Sequence, residues 1–207
     1  MKNSADNIAV INYGAGNLGS VTNALAKLGY QYNVTSDPAE VAAARVVIFP
    51  GVGAAGDCMQ KLNDAGMSKA ISNAIASKKP VFAICVGLQV LLGSTEEGGG
   101  YRCLDIIPGM VKKLPAGLKI PHMGWNQVKQ IKKHWIFEGI ADNANFYFVH
   151  SYYADPGDKS VIAGTTEYGA TFCSMITRDN LVATQFHPEK SGETGLKLYS
   201  NFLKKYI

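Results

Sequence analysis

Apolar residues in the first half of the chain come in short unbroken runs, with helically spaced positions between them. Ile8-Ala9-Val10-Ile11, Val46-Val47-Ile48-Phe49 and Val81-Phe82-Ala83-Ile84 contain no polar residue, which is the pattern of strands buried on both faces of a parallel sheet. Tyr30 to Thr35 predicts a further strand. Ser20 to Leu28 places Val21, Leu25 and Leu28 on one helical face and stops at Gly29, a C-terminal cap signal. Asp37-Pro38 opens a short helix, with Asp as N-cap and Pro at its first position. Further helices are expected over Ala55–Leu62, Ser68–Ser77 and Val86–Leu92.

After Gly98-Gly99-Gly100 the pattern changes. Strand-like segments follow one another: Met110–Leu114, Asn126–Ile131, Asn145–Tyr153, Val161–Thr166, Thr171–Thr177 and Leu181–Phe186. Arg178-Asp179-Asn180 is a hairpin turn signal. A last helix runs from about Glu193 to Lys204, with Leu196, Tyr199 and Leu203 on its apolar side. The prediction is an α/β fold: one domain over residues 1–207, with a mixed sheet whose parallel core is flanked by helices and carries an antiparallel extension.

A chain of 207 residues with 47% hydrophobic content can bury a substantial core, and a charged fraction of 17% is low for disorder. The net charge of +4 is spread over pairs such as Lys78-Lys79, Lys112-Lys113 and Lys132-Lys133, which read as solvated surface and not as a nucleic-acid face. No run is long enough to span a membrane, and Met1-Lys2-Asn3-Ser4-Ala5-Asp6 lacks the apolar stretch of a signal peptide. Cys58, Cys85, Cys103 and Cys173 show neither CxxC nor zinc-like spacing, so free thiols in a reducing, cytoplasmic setting are expected.

Cys85 closes an apolar strand and stands directly before a helix, with the small residues Ala83 and Gly87 two places to either side. This is the layout of a nucleophile elbow, where a tight turn pushes the side chain out and only small neighbours fit. The helix aims its N-terminal N–H groups at the sulfur and favours the thiolate. His187-Pro188-Glu189 can supply the base and an orienting carboxylate, because residues two apart in an extended segment face the same way. Pro188 argues that the pair lies at a sheet edge. Pro50-Gly51-Val52-Gly53, at the end of another buried run, is a candidate oxyanion loop. Other readings exist for these residues: a buried small hydrophobe for Cys85, an ordinary turn for Pro50–Gly53, and a metal site for Cys85, His187 and Glu189. Gly14-Ala15-Gly16-Asn17-Leu18-Gly19 matches the dinucleotide pattern GxGxxG, although Asp37 is better explained as a helix cap than as a ribose ligand. His122 and His150, in aromatic and glycine contexts, read as core histidines, and His134 as solvent-facing. The residues by themselves reach a thiol-dependent acyl-transfer enzyme.

At these positions the chain resembles the class I (triad) glutamine amidotransferases, and among them the glutaminase subunits of imidazole glycerol phosphate synthases. The likeness covers essentially the whole chain. It rests on Cys85-Val86-Gly87-Leu88-Gln89 and His187-Pro188-Glu189-Lys190-Ser191, with Asn12–Asn17, Pro50–Gly53, Pro121-His122-Met123-Gly124-Trp125-Asn126 and Tyr147–Tyr152. The family usually has Gly, Leu and Met where Ala83, Val86 and Leu88 stand, so a paralogue serving another nitrogen-incorporating synthase stays open. The resemblance implies a triad of Cys85, His187 and Glu189 that hydrolyses L-glutamine to glutamate and ammonia through a thioester. It implies an oxyanion site from Val86 and Gly51, Val52 and Gly53, and substrate contacts from Gln89, Glu97, Ser151 and Tyr152. It implies a heterodimer with a (β/α)8-barrel cyclase, which takes the ammonia to make imidazole glycerol phosphate for histidine synthesis. Asn17, Trp125, Asn126, Tyr147 and Lys190 would form the interface. No metal or organic cofactor is implied, and no nucleic acid or membrane partner.

Overall fold

A computed structural model describes residues 7–207, so the Met1–Asp6 lead lies outside the described residues. In chain order the strands are β1 (Ile8–Ile11), β2 (Tyr32–Thr35), β3 (Val46–Gly51), β4 (Val81–Cys85), β5 (Leu92–Thr95), β6 (Tyr101–Arg102) and β7 (Ile107–Lys113). They continue with β8 (His122–Gln130), β9 (Ala144–His150), β10 (Tyr152–Pro156), β11 (Ile162–Glu167), β12 (Thr171–Arg178) and β13 (Leu181–Thr184). The helices are α1 (Leu18–Lys27), α2 (Pro38–Ala43), α3 (Ala55–Asp64), α4 (Met67–Ala76), α5 (Val86–Gln89) and α6 (Gly192–Tyr206). Asp37 caps α2 as its sequence predicts: its carboxylate accepts from Ala39 N at 2.8 Å.

The main path of the sheet is β2-β1-β3-β4-β13-β12-β10-β7-β5-β6, and β11, β8 and β9 branch from β12. The strands β2, β1, β3 and β4 pair in parallel, as their apolar runs require. Residues 8–11, 46–49 and 81–84 are all buried. From β12 onward the pairing is mostly antiparallel. β5 pairs with β7 in parallel, and β13 crosses between the two sets. β13 leaves a two-residue turn at Asp179-Asn180, where Asp179 has φ 50°, and then joins the parallel set beside β4.

Three local expectations change. The strand expected over Asn145–Tyr153 divides at Ser151, because His150 pairs with His122 on β8 while Tyr152 pairs with Lys113 on β7. The chain changes partner there, so the ladder breaks. The helix expected over Val86–Leu92 is a single turn, because Leu91 O accepts from Ile106 N and Ile107 N and the chain enters β5 at Leu92. The sequence also hid β5 and β6, whose short half-exposed segments carry no alternation to read.

The ends of β3 and β4 meet backbone to backbone. Gly51 pairs with Cys85, and a Cβ on Gly51 would lie 2.4 Å from Gly87 N and 2.9 Å from the Val86 carbonyl carbon. Neither atom can swing away as a side chain could. Gly51→Ala should therefore cost about 1–3 kcal/mol by overpacking, read as a lower midpoint in urea unfolding. Gly19→Ala, in α1 with open space around it, should leave the midpoint unchanged or raise it.

Candidate active site

Cys85 sits between β4 and α5 with φ 55° and ψ −108°, a conformation non-glycine residues rarely adopt. Holding it costs about 1–3 kcal/mol, and the packing of β3 against the turn over-determines it. Gly87 must be small, since a Cβ there would come within 2.6 Å of Phe49 O. Ala83 fits, fully buried in β4. The sulfur opens onto a cavity of about 260 Å³. Val52, Gly53, Val86 and His187 line it beside Cys85, and so do Gln89, Glu97, Ser151 and Tyr152. Gly51 does not reach the cavity wall, because it is buried against the elbow. Glu97 Oε2 accepts from Ala55 N at 2.6 Å, which ties the Glu97 turn to the start of α3.

The register of β13 on β4 brings the second half of the site in. Ala183 lies opposite Ala83 and Thr184 opposite Ile84, so His187 stands just past the end of its strand, as Cys85 does at the end of β4. The pair lies at the end of a central strand, not at a sheet edge. Pro188, with its fixed φ, starts a single 3-10 turn over Pro188–Lys190 instead of an extended segment. That turn folds the Glu189 carboxylate back onto the ring: His187 Nδ1–H donates to Glu189 Oε1 at 2.7 Å, both side chains buried. Nδ1 therefore carries a proton, and Nε2 is left facing the Cys85 sulfur. Burial opposes charge on His187, but the sulfur and Glu189 outweigh it and hold the imidazole up at about 10.

A second buried network starts from one backbone carbonyl. Tyr152 O accepts from Gln89 Nε2 at 2.8 Å and from His150 Nδ1 at 2.8 Å. Because a carbonyl only accepts, His150 carries its proton on Nδ1 and offers Nε2 as an acceptor. His122 Nδ1–H donates to that nitrogen at 2.9 Å, and Asn126 Nδ2–H approaches His122 Nε2 at 3.2 Å. Burial holds His150 down to about 3 and His122 to about 4, so both stay neutral. Sequence reading placed both in the core, and the structure agrees, but His150 also lines the cavity. Gln185 was not anticipated. It is fully buried, its Nε2 lies 3.7 Å from Cys85 Sγ, and its Oε1 accepts from Gln89 Nε2 at 3.2 Å. The signal was available: Gln185 precedes His187 by the same two-residue step that links His187 to Glu189. His134 is half-buried, and its Nδ1 accepts from Ile136 N at 3.3 Å.

The expected interface residues differ in exposure. Trp125 is 58% exposed, Met123 62%, and Trp125 stacks edge-on against Tyr147 at 6.1 Å, opposite it on β9. Lys190 is exposed, while Asn17 is half-buried at the start of α1, its Oδ1 accepting from Ser20 Oγ at 3.0 Å. Asn126 is half-buried and donates to Glu167 O at 2.9 Å. Tyr147 also reaches the site through its backbone: its O accepts from His187 N at 2.9 Å, and its N donates at 2.9 Å to Ser191 Oγ, which donates to His187 O at 2.6 Å.

The family model described as Glutamine amidotransferase class-I matches residues 9–206. The chain is 56% identical over 197 residues to the imidazole glycerol phosphate synthase subunit HisH of Dehalococcoides mccartyi (strain CBDB1), covering 95% of this chain and 96% of that protein. It is 51% identical over 195 residues to the HisH subunit of Moorella thermoacetica, covering 94% and 93%. Among solved structures, a glutamine amidotransferase superposes with a TM-score of 0.75 at 16% identity, covering 96% of this chain and 97% of that one. The PurLQS structure from Thermotoga maritima superposes at 0.73 and 16% identity, covering 97% and 98%. These two likenesses establish the fold. Among the described residues no helix is long and apolar enough to cross a membrane.

Burial pushes the other thiols up, to about 12 for Cys58 and Cys173 and about 11 for Cys103. Iodoacetamide near pH 7 should thus modify Cys85 alone, scored by peptide mass spectrometry; labelling at a second cysteine of similar extent would break this assignment. The neutral histidines predict an acid effect of definite sign. The unfolded chain protonates His150 near 6.5 and the folded chain only at about 3, so stability is complete above 6.5 and falls with pH below it. His187 acts oppositely, contributing stability that is present below 6.5 and lost as pH rises through about 10. His150→Gln should remove about 2 kcal/mol of the stability lost between pH 7 and pH 5, measured by urea unfolding at both.

Proposed function

We propose, from the premise that this chain belongs to the class I glutamine amidotransferase family and to its imidazole glycerol phosphate synthase subunits, that it is the glutaminase of such a synthase. It hydrolyses L-glutamine to glutamate and ammonia, and passes the ammonia to a (β/α)8-barrel cyclase in histidine biosynthesis. The observation that carries the reading is the strained Cys85 elbow sharing one cavity with a His187–Glu189 pair. Cytoplasmic residence fits this chemistry.

In this reading glutamine lies with its amide carbon over Cys85 Sγ, held by Gln89, Glu97, Ser151 and Tyr152, which line the cavity. The thiolate attacks, and negative charge gathers on the amide oxygen. The Val86 N–H, at the start of α5, and the Val52–Gly53 peptide stabilise that charge. Gly53 has φ 89° and open space around it, whereas Gly51 is clamped, which favours Val52–Gly53 as the peptide that turns to donate. His187, protonated near neutral pH, gives the Nε2 proton to the departing ammonia. It then takes a proton from water, which opens the thioester. Glu189 holds the ring and its Nδ1 proton throughout. The cyclase docks over Trp125, Tyr147, Asn126, Asn17 and Lys190. Pressure on Tyr147 bears on His187 through their shared hydrogen bond.

Glutamate release from the free chain, from the chain with the cyclase subunit, and from that complex with the acceptor nucleotide tests this function. Low basal hydrolysis and at least about a hundredfold stimulation are expected, the size of one oxyanion donor. Cys85→Ser should abolish hydrolysis, and Glu189→Gln should keep more than His187→Ala. Trp125→Ala and Lys190→Ala should weaken the stimulation with the fold intact. Full activity in the isolated chain with no response to the cyclase would refute gating by the partner, and no hydrolysis under any condition would refute the function.

A further inference from the structure

We propose that Gln185 is a positioning residue of this site: its side-chain amide donates a hydrogen bond to the Cys85 sulfur and holds it, as thiolate, toward the glutamine cavity. The catalytic consequence rests on the glutamine-hydrolysis reading; the contact rests on geometry. The oxygen and nitrogen of a side-chain amide are told apart only by their partners, and here one backbone carbonyl decides both amides. Tyr152 O can only accept, so the Gln89 atom 2.8 Å from it is the NH2 group. The Gln185 atom 3.2 Å from that same nitrogen must then be the accepting Oε1. The other Gln185 atom, 3.7 Å from Cys85 Sγ, is therefore the donor. The flipped amide would set two NH2 groups against each other and turn a carbonyl oxygen to the sulfur.

Gln185 cannot swing out of this arrangement. Its side chain is fully buried, and its backbone N–H is bound to Ser174 O at 2.9 Å. On the register of β13 with β4 it is level with Cys85. Cys85 Sγ also approaches Val149 O at 3.9 Å, an acceptor that suits a thiol proton and not a thiolate. The titratable groups that share the cavity with the sulfur are His187, bound to Glu189, the neutral His150, Glu97 and Tyr152; Tyr13, which burial keeps protonated, lies near it behind the cavity wall. Only His187 among these stabilises the anion by charge. Gln185 adds an uncharged donor that stays in place when His187 surrenders its proton to ammonia. That donor is worth most while sulfur carries charge, before attack and again when the thioester breaks.

The test compares the second-order rate of Cys85 alkylation by iodoacetamide, between pH 5 and pH 9, in the parent chain, Gln185→Leu and Gln185→Glu. Loss of one donor to a charged acceptor predicts about a tenfold slower alkylation near neutral pH in Gln185→Leu, with the profile moved to higher pH. Gln185→Glu keeps the size, turns an oxygen to the sulfur and should be slower still. In the complex with the cyclase both should lower kcat for glutamine while KM stays within about twofold. Parent-like alkylation rates and profiles in both folded variants would overturn the proposal. If neither variant folds, the Gln185 side-chain amide resonances of the native chain decide: they should move when Cys85 is alkylated, and unmoved resonances overturn the contact. Absence of glutamine hydrolysis by the parent complex would refute the proposed function, and the alkylation rates would still judge the contact.

Discussion

Parallel pairing of β13 with β4 holds the candidate site together. Residues 181–184 lie opposite residues 81–84, so two segments far apart in the chain end at the same level. Neighbouring strands are about 4.8 Å apart, within side-chain reach, and their separation is set by backbone hydrogen bonds rather than by flexible side chains. Cys85, Gln185 and His187 therefore meet with little freedom. A register shift of two residues would carry His187 roughly 6.6 Å along the sheet and dissolve the pair. The strained turn at Cys85 persists for the same reason, because β3 and β13 clamp β4 from both sides.

Two histidines in one cavity show how neighbours, and not burial alone, decide charge. His150 and His187 are both buried. His150 meets a backbone carbonyl and another neutral ring, so burial wins and it stays uncharged. His187 meets a carboxylate and the Cys85 sulfur, and these reverse the effect of burial. The site thus holds one protonated imidazole able to give a proton and one neutral imidazole confined to hydrogen bonding.

The branch of the sheet formed by β8 and β9 connects the exposed aromatic face to this chemistry. Trp125 and Tyr147 stand opposite one another on it. Tyr147 holds His187 and Ser191 through its backbone, and Asn126 begins the buried line through His122 and His150 to Tyr152 O. Each group in that line would cost about 1–3 kcal/mol if left unpaired, so the line moves as a unit or not at all. Two short hydrogen-bonded routes run from this face to the cavity, one ending at His187 and one at Gln89.

Much of this was legible in the sequence where the controlling physics is local. The apolar runs at Ile8–Ile11, Val46–Phe49 and Val81–Ile84 read as buried strands, because burial on both faces leaves no polar position. Asp37 read as a cap because its side chain bonds two residues on. The elbow read from Ala83, Cys85 and Gly87, since backbone crowding admits only small residues there. The histidine and glutamate of His187-Pro188-Glu189 read as a pair, although proline bent them into a turn instead of an extended segment. The tertiary structure alone decided that β13 crosses into the parallel set, that α5 stops after one turn, that Ser151 is where the chain changes partner, and that Gln185 faces the sulfur. Strand partners and registers are chosen by hydrogen bonds between remote segments, and no local period of hydrophobic and polar residues records which remote segment that will be.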